Sequence, residues 1–168
     1  GSVVALGDRE CSLQRRNQKL VEIAPSPSID DGLRHQLCEA SLKLARHVKL
    51  QSLTTFEFLV DASPSSNPPA WTFMEANPRI QVEHAVTEEI FGVDLVHAQL
   101  QIAGGASLEE LGLSRETLAP PSGFAIETRI NLEVLQEDGS IRPSTGTLTR
   151  YEPPTGPGIR LDGAGHTG

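Results

Sequence analysis

The sequence predicts an α+β fold in which helices pack against a mainly antiparallel sheet. Three observations carry this expectation. An apolar period of 3.6 residues runs from Leu33 to Val48. Two short apolar runs, Phe56–Val60 and Trp71–Glu75, flank a loop with three prolines and three serines and read as a hairpin. A third run, Phe124–Leu132, alternates with period two, as a half-buried strand does.

Taken in order, the chain opens with a short apolar segment, whose Gly1-Ser2 has the look of a cloning remnant. A basic-polar stretch around Arg15-Arg16 follows, then Val21-Glu22-Ile23-Ala24 up to Pro25. Ser28 and Asp31 stand in the spacing of a capping box, which predicts a helix from Ser28. Leu33, Leu37, Cys38, Leu44, Ala45 and Val48 would form its apolar face. The hairpin comes next, its loop spanning Asp61 to Ala70. Residues 90–103 read as helical, with a restart near Gly92 and a stop at Gly104-Gly105. Ser107-Leu108-Glu109-Glu110 is a second capping box, predicted to open a short helix. After the strand at 124–132, Leu148–Tyr151 and Ile159–Asp162 suggest two more, separated by a Pro/Gly-rich turn.

Composition narrows the functions. A chain of 168 residues can bury one core. No apolar run reaches the roughly 18 residues of a membrane helix. A net charge of −8 argues against a general nucleic-acid surface, which needs a concentrated positive face. Two cysteines, Cys11 and Cys38, have neither disulfide-framework nor metal spacing, and Cys38 reads as a buried thiol in a reducing setting.

The informative stretch is Glu75-Ala76-Asn77-Pro78-Arg79-Ile80-Gln81-Val82-Glu83-His84. If extended, Glu75, Asn77, Arg79, Gln81 and Glu83 share one face. A solvated strand face is the plain reading, but this run leaves a hydrophobic strand, and Glu57 is a carboxylate inside apolar Phe56-Glu57-Phe58. If the hairpin pairs, Glu57 and Glu75 approach each other and repel unless a cation lies between them. Mg²⁺ takes few carboxylates and fills its shell with phosphate oxygens, a role that Glu57, Glu75 and Asn77 suit. His84 reads as a structural hydrogen-bonding residue, and His35, His47, His97 and His166 belong to no constellation.

Phe56-Glu57-Phe58 with Glu75-x-Asn77-x-Arg79 resembles the metal-binding end of the ATP-grasp superfamily. The continuation Gln81-Val82-Glu83-His84 with Val86-Thr87-Glu88 is similar to biotin carboxylase, the domain found in biotin-dependent carboxylases. Arg9-x-Cys11-Ser12-x-Gln14-Arg15-Arg16-x-Gln18-Lys19, Glu127-x-Arg129-Ile130-Asn131 and Pro143-Ser144-x-Gly146 extend the likeness over most of the chain, from about Leu6 to Asp162.

The resemblance implies an ATP-dependent ligase in which bicarbonate and ATP give carboxyphosphate, which carboxylates biotin. It implies that Glu57, Glu75 and Asn77 bind Mg²⁺ or Mn²⁺, with Asn17, Glu57 and Glu75 near the nucleotide. Lys19, Arg79, Gln81 and the backbone of Val82 would hold bicarbonate, Glu83 would be the base, and Arg129 would bind biotin. The biotin would ride on a carboxyl carrier domain, with a carboxyltransferase domain on the same or a partner chain and homodimerisation open. Location would be cytoplasmic, or mitochondrial in a eukaryote. The same likeness implies the carboxyl-terminal part of the domain, divided at about 1–115 and 116–168, with the amino-terminal lobe and glycine-rich lid outside this chain. A non-catalytic assembly lobe and another ATP-grasp carboxylate ligase are the competing readings.

Overall fold

The computed structural model describes residues 2–61, 63, 66, 69–163 and 165. Gly1, His166 and most of the tip of the 61–70 loop lie outside them. The chain divides into two compact units after Arg129.

In the first unit, β1 (Glu10–Arg15) and β2 (Gln18–Ala24) form an antiparallel hairpin closed by Arg16-Asn17. Both turn residues have positive φ, 52° and 62°, as a two-residue turn matched to strand twist requires. The basic stretch is therefore a hairpin tip, which no glycine announced. β2 also pairs with β5 (Ala125–Thr128), giving the sheet order β1-β2-β5.

The pairing slips along β2. Gln14 faces Lys19, but Leu13 faces Val21, so Leu20 is one residue extra. Adjacent residues of β1 point to opposite faces, and so do their partners Lys19 and Val21. Lys19 thereby shares a face with Glu22 and Ala24. Strict alternation would have turned it away.

Helix α1 (Asp31–His47) is capped by Asp30, whose Oδ1 accepts the Leu33 amide at 2.7 Å, and not by Ser28. Asp30 lies at the correct distance from the Leu33 N–H; Ser28 forms part of the preceding turn, its amide bonded to Ser26 Oγ. The buried stripe is Leu33, Leu42 and Ala45, with Leu37 and Cys38 half-buried, whereas Leu44 and Val48 face outward. Arg34 ties α1 to the start of the chain, donating to Asp8 Oδ1 and the Ser26 carbonyl.

The expected hairpin forms from β3 (Thr55–Val60) and β4 (Trp71–Asn77). Glu57 pairs with Glu75, yet Phe58 pairs with Phe73, which leaves Met74 as a bulge. The slip sorts the hairpin. Phe58 meets Trp71 and Phe73 edge-to-face at 5.5 and 5.8 Å on one side. Glu57, Glu75 and Asn77 take the other.

The extended reading of 75–84 ends at Asn77. The Arg79 amide bonds back to the Asn77 carbonyl, and α2 (His84–Phe91) begins six residues before the expected helix at Ile90. Gly92 closes α2 at φ 65° and α3 (Leu95–Ala103) follows, its first amide held by the buried Glu88 carboxylate at 2.6 Å. α2 covers β2 and β5: Ala24, Val86 and Ile90 form a core with Phe91 and Ala125. Ser107 and Glu110 do cap each other's amides, but the segment makes turns and no helix. The expected strand at 124–132 is shorter, at 125–128.

The second unit, from Ile130, holds a hairpin of β6 (Glu133–Leu135) and β7 (Ile141–Pro143). The strands expected at 148–151 and 159–162 do not form, apart from one bridge residue at Leu148. No helix of the described residues is long and apolar enough to cross a membrane.

The α1 cap offers a direct check. Asp30→Ala should lower unfolding stability by about 1 kcal/mol, read by urea denaturation, while Ser28→Ala should change it little. The reverse ranking would return the cap to Ser28.

Candidate functional site

Strand β2, the β3–β4 hairpin and the segment leading into α2 bring six side chains to one point. Lys19 Nζ donates to Glu83 Oε1 at 2.7 Å and to Glu57 Oε1 at 3.1 Å. Glu57 Oε1 also accepts from Asn77 Nδ2 at 3.1 Å and Gln81 Nε2 at 3.2 Å. Asn77 Nδ2 reaches Glu75 Oε1 at 2.9 Å, so one amide spans both hairpin carboxylates.

Glu83 is the most enclosed member, 2% exposed. Its burial works to raise its pKa, but the Lys19 hydrogen bond and the charges of Lys19 and Arg9 prevail and hold the carboxyl below its ordinary range. Burial works against the Lys19 ammonium too, and the bonds to Glu83 and Glu57 override it, raising its pKa. Both groups are therefore charged at neutrality. Glu83 occupies the N-cap of α2 without using its side chain to cap the helix. The carboxylate turns to Lys19 instead, near the positive end of the helix dipole.

Arg9 completes this support and was missing from the expected site, although it stands in the motif Arg9-x-Cys11. Its guanidinium donates to Thr87 Oγ1 and Thr55 Oγ1, both at 3.0 Å, and comes within 4.0 Å of Glu83 Oε1. It thus links β3 and α2 to the segment that enters β1. His84 Nδ1 lies 3.0 Å from the Gln81 carbonyl and 3.2 Å from that of Val82, in keeping with a structural role. Cys11, near Lys19 and Arg9, has a thiol that burial pushes up to about 11, so it is no nucleophile at neutral pH. Burial likewise raises Cys38.

Other expected residues do not join the cluster. Asn17 sits exposed at the β1–β2 turn, and Arg129 is half-buried beyond the end of β5, its amide bonded to the Leu20 carbonyl. Val82 and Arg79 are exposed, and Arg79 Nη1 donates to the Ile80 carbonyl. The chain turns between Asn77 and Glu83, which removes the shared face that alternation predicted for Arg79.

Two further carboxylates were overlooked, Glu22 and Glu127, which face each other across β2 and β5. Each sits in an apolar strand, as Glu57 does, and that was the signal available.

For a metal, the described residues contain no group of three or more His, Cys, Asp or Glu side chains arranged as ligands. Glu57 and Glu75 supply hard oxygens, too few to enclose a cation, with the Asn77 amide nitrogen donating to both. Such a set fits Mg²⁺ or Mn²⁺ that takes further oxygens from phosphate. The ammonium already drawn to Glu57 Oε1 shows that this acceptor attracts positive charge.

The carbamoyl-phosphate synthase L chain ATP-binding domain model matches residues 1–111. The chain is 46% identical over 164 residues to pyruvate carboxylase 1 of Caenorhabditis elegans, which covers 98% of this chain and 13% of that protein. It is 46% identical over 162 residues to biotin carboxylase of a Nostoc species, covering 96% of this chain and 34% of that protein. A biotin carboxylase domain dimer of Hydrogenobacter thermophilus 2-oxoglutarate carboxylase, solved with MgADP, ADP and bicarbonate, superposes with a TM-score of 0.77 at 43% identity, over 90% of this chain and 31% of that one. The chain thus spans about a third or less of the length of these relatives.

The Lys19–Glu83 pair yields a stability test with a definite sign. A carboxyl held below its ordinary value of 4.5 contributes stability above that value, lost as pH falls through the folded-state value. Lys19→Met leaves the buried carboxylate without its cation, an expected loss of about 3 kcal/mol near neutrality. The deficit should shrink in acid, where Glu83 protonates. Denaturation at both pH values checks this, and an equal deficit at each would contradict it.

Proposed function

The chain belongs to the family of carbamoyl-phosphate synthase L chain ATP-binding domains, as part of a biotin carboxylase domain, and on that premise we propose that its polar cluster is the metal and bicarbonate half of a biotin-carboxylating site. The parent protein would then use ATP and bicarbonate to carboxylate biotin presented on a carrier domain. A carboxyltransferase domain, on this or a partner chain, would pass the group on. Homodimerisation and a cytoplasmic or mitochondrial location accompany this reading.

One observation carries it: Lys19 Nζ lies between Glu57 and the buried Glu83, with Asn77 and Gln81 on the same Glu57 oxygen. A small anion entering here meets an ammonium and an amide donor beside a carboxylate held ionised. Lys19 and Gln81 would bind bicarbonate, with the Val82 backbone. Arg79, exposed and two residues before Gln81, would swing from the Ile80 carbonyl to clamp the anion through its planar fork.

Glu83 would take the bicarbonate proton. Its lowered pKa makes it a weak base at rest, but an anion that claims the Lys19 ammonium removes the hydrogen bond that lowers it. Binding would thus raise the basicity of Glu83 when it is needed. Glu57, Glu75 and Asn77 would hold Mg²⁺ or Mn²⁺, which supplies charge neutralisation to the transferring phosphoryl group. Asn17, at the hairpin turn, would contact the nucleotide, and Arg129 would pair with the biotin carbonyl oxygen.

Two outcomes test this. In the parent carboxylase, Arg79→Ala and Glu83→Gln should each lower bicarbonate-dependent ATP cleavage and biotin carboxylation by about 10²–10⁴, with the fold intact by circular dichroism. Near-normal turnover in either would remove the assigned role. The 168-residue chain alone should show no carboxylation of free biotin and only weak Mg-ATP binding by calorimetry, because its donors grip one side of a triphosphate. Tight binding or turnover would place the nucleotide site elsewhere.

A further inference from the structure

Glu22 on β2 and Glu127 on β5 occupy directly opposed positions of an antiparallel pair. Their neighbours on the same face, Ala24 and Ala125, pack beneath α2, so both carboxylates point into the space that helix covers. Glu22 is 0% exposed, and neither of its oxygens has a hydrogen-bond partner; Glu127 Oε2 is buried and unpartnered as well. A lone ionised carboxylate in such a place is costly, and two facing each other are more so.

The surrounding charges do not resolve this. Lys19 of β2 is engaged by Glu57 and Glu83, and Arg9, ahead of β1, by Thr87 and Thr55. From α2, Glu83 adds negative charge and His84 opposes it only toward Glu127. Arg129, following β5, acts on both carboxylates, and Lys19 and Arg9 also act on Glu22, yet at each carboxyl burial outweighs the cations. Burial raises both carboxyls, reinforced by Glu83 at Glu22 and by Glu22 at Glu127.

We propose that Glu22 and Glu127 hold one proton between them, as a buried acid–carboxylate pair, and that this pair sets the charge beneath the anion site formed by Lys19 and Glu83. The proton comes from water, and only O–H bonds change. It removes one of two negative charges and gives the unpartnered oxygens a hydrogen bond. The pair touches no substrate and acts through Glu83. Its consequence for bicarbonate rests on the function proposed above: with the proton in place the anion meets one negative charge from below, and without it two.

Carbon-13 NMR titration of the 168-residue chain, labelled at the glutamate carboxyls, reads the pair directly. Glu22 and Glu127 should titrate in two steps more than about one pH unit apart, the upper one above the ordinary glutamate range. In Glu22→Gln the remaining Glu127 should titrate in a single step, as should Glu22 in Glu127→Gln. Independent titration of both near the ordinary value in the unaltered chain would overturn the proposal. So would a splitting that disappears with a metal chelator, since a cation would then hold the carboxylates together. Bicarbonate kinetics of the parent carboxylase test the consequence separately. KM for bicarbonate should rise as the pair loses its proton, and either glutamine variant should abolish that rise. A uniform fall in rate at every pH would reduce the residues to a structural role, even with the NMR splitting present.

Discussion

The Lys19 ammonium is the constraint around which the first unit is arranged. Glu83 is almost wholly enclosed, and a carboxylate there is tolerable only with a cation against it. Lys19 provides that cation from β2 at 2.7 Å and reaches Glu57 of β3 with a second proton. Three elements distant in sequence are thus fixed by two short contacts, and Arg9 holds the same elements from the other side through Thr55 and Thr87. Packing alone would not give this precision, because the apolar core beside it is small, consisting mainly of Ala24, Val86 and Ile90.

The arrangement depends on two residues that break the strand pattern. Leu20 is extra on β2 and turns Lys19 toward the α2 side; Met74 is extra on β4 and separates the aromatic face of that hairpin from its carboxylate face. A one-residue slip inverts every side chain that follows it. Without the first, Lys19 would point away from Glu22 and from α2. Without the second, Phe73 and Glu75 would compete for one face. Both bulges border the polar cluster, where bulges commonly serve to redirect a side chain.

These slips also explain what could be read from the residues alone. The β3–β4 hairpin, two apolar runs across a proline-rich loop, and α1, with its long apolar period, were both legible. So was the meeting of Glu57, Glu75 and Asn77, because a carboxylate inside Phe56-Glu57-Phe58 demands an explanation. Glu22 and Glu127 sent the same signal from Val21-Glu22-Ile23 and Ile126-Glu127, but it points to burial only once the partner strand is known. The β1–β2 hairpin was obscured because Arg16-Asn17 adopts positive φ without glycine. Extending the alternation past Asn77 misplaced Arg79 and hid the start of α2, since Pro78 can end a strand as readily as mark its edge.

A net charge of −8 repels a small anion on average, and the cluster adds to the difficulty. Glu57, Glu75 and Glu83, with the singly charged Glu22–Glu127 pair, outnumber the nearby cations Lys19, Arg9 and Arg129, so the surplus is negative before any ligand arrives. Attraction therefore cannot come from the average field and has to come from donors placed at short range. Lys19 is such a donor, and it is held by acceptors that an incoming anion can replace. In the proposed reading, an anion that took the ammonium would cost Glu83 the bond that keeps it a weak base and would leave Glu57 to seek another cation. Anion binding, basicity and metal affinity would then be coupled through one side chain. The excess of acid would make that coupling work, because a site with spare cations would bind an anion without changing the proton affinity of Glu83.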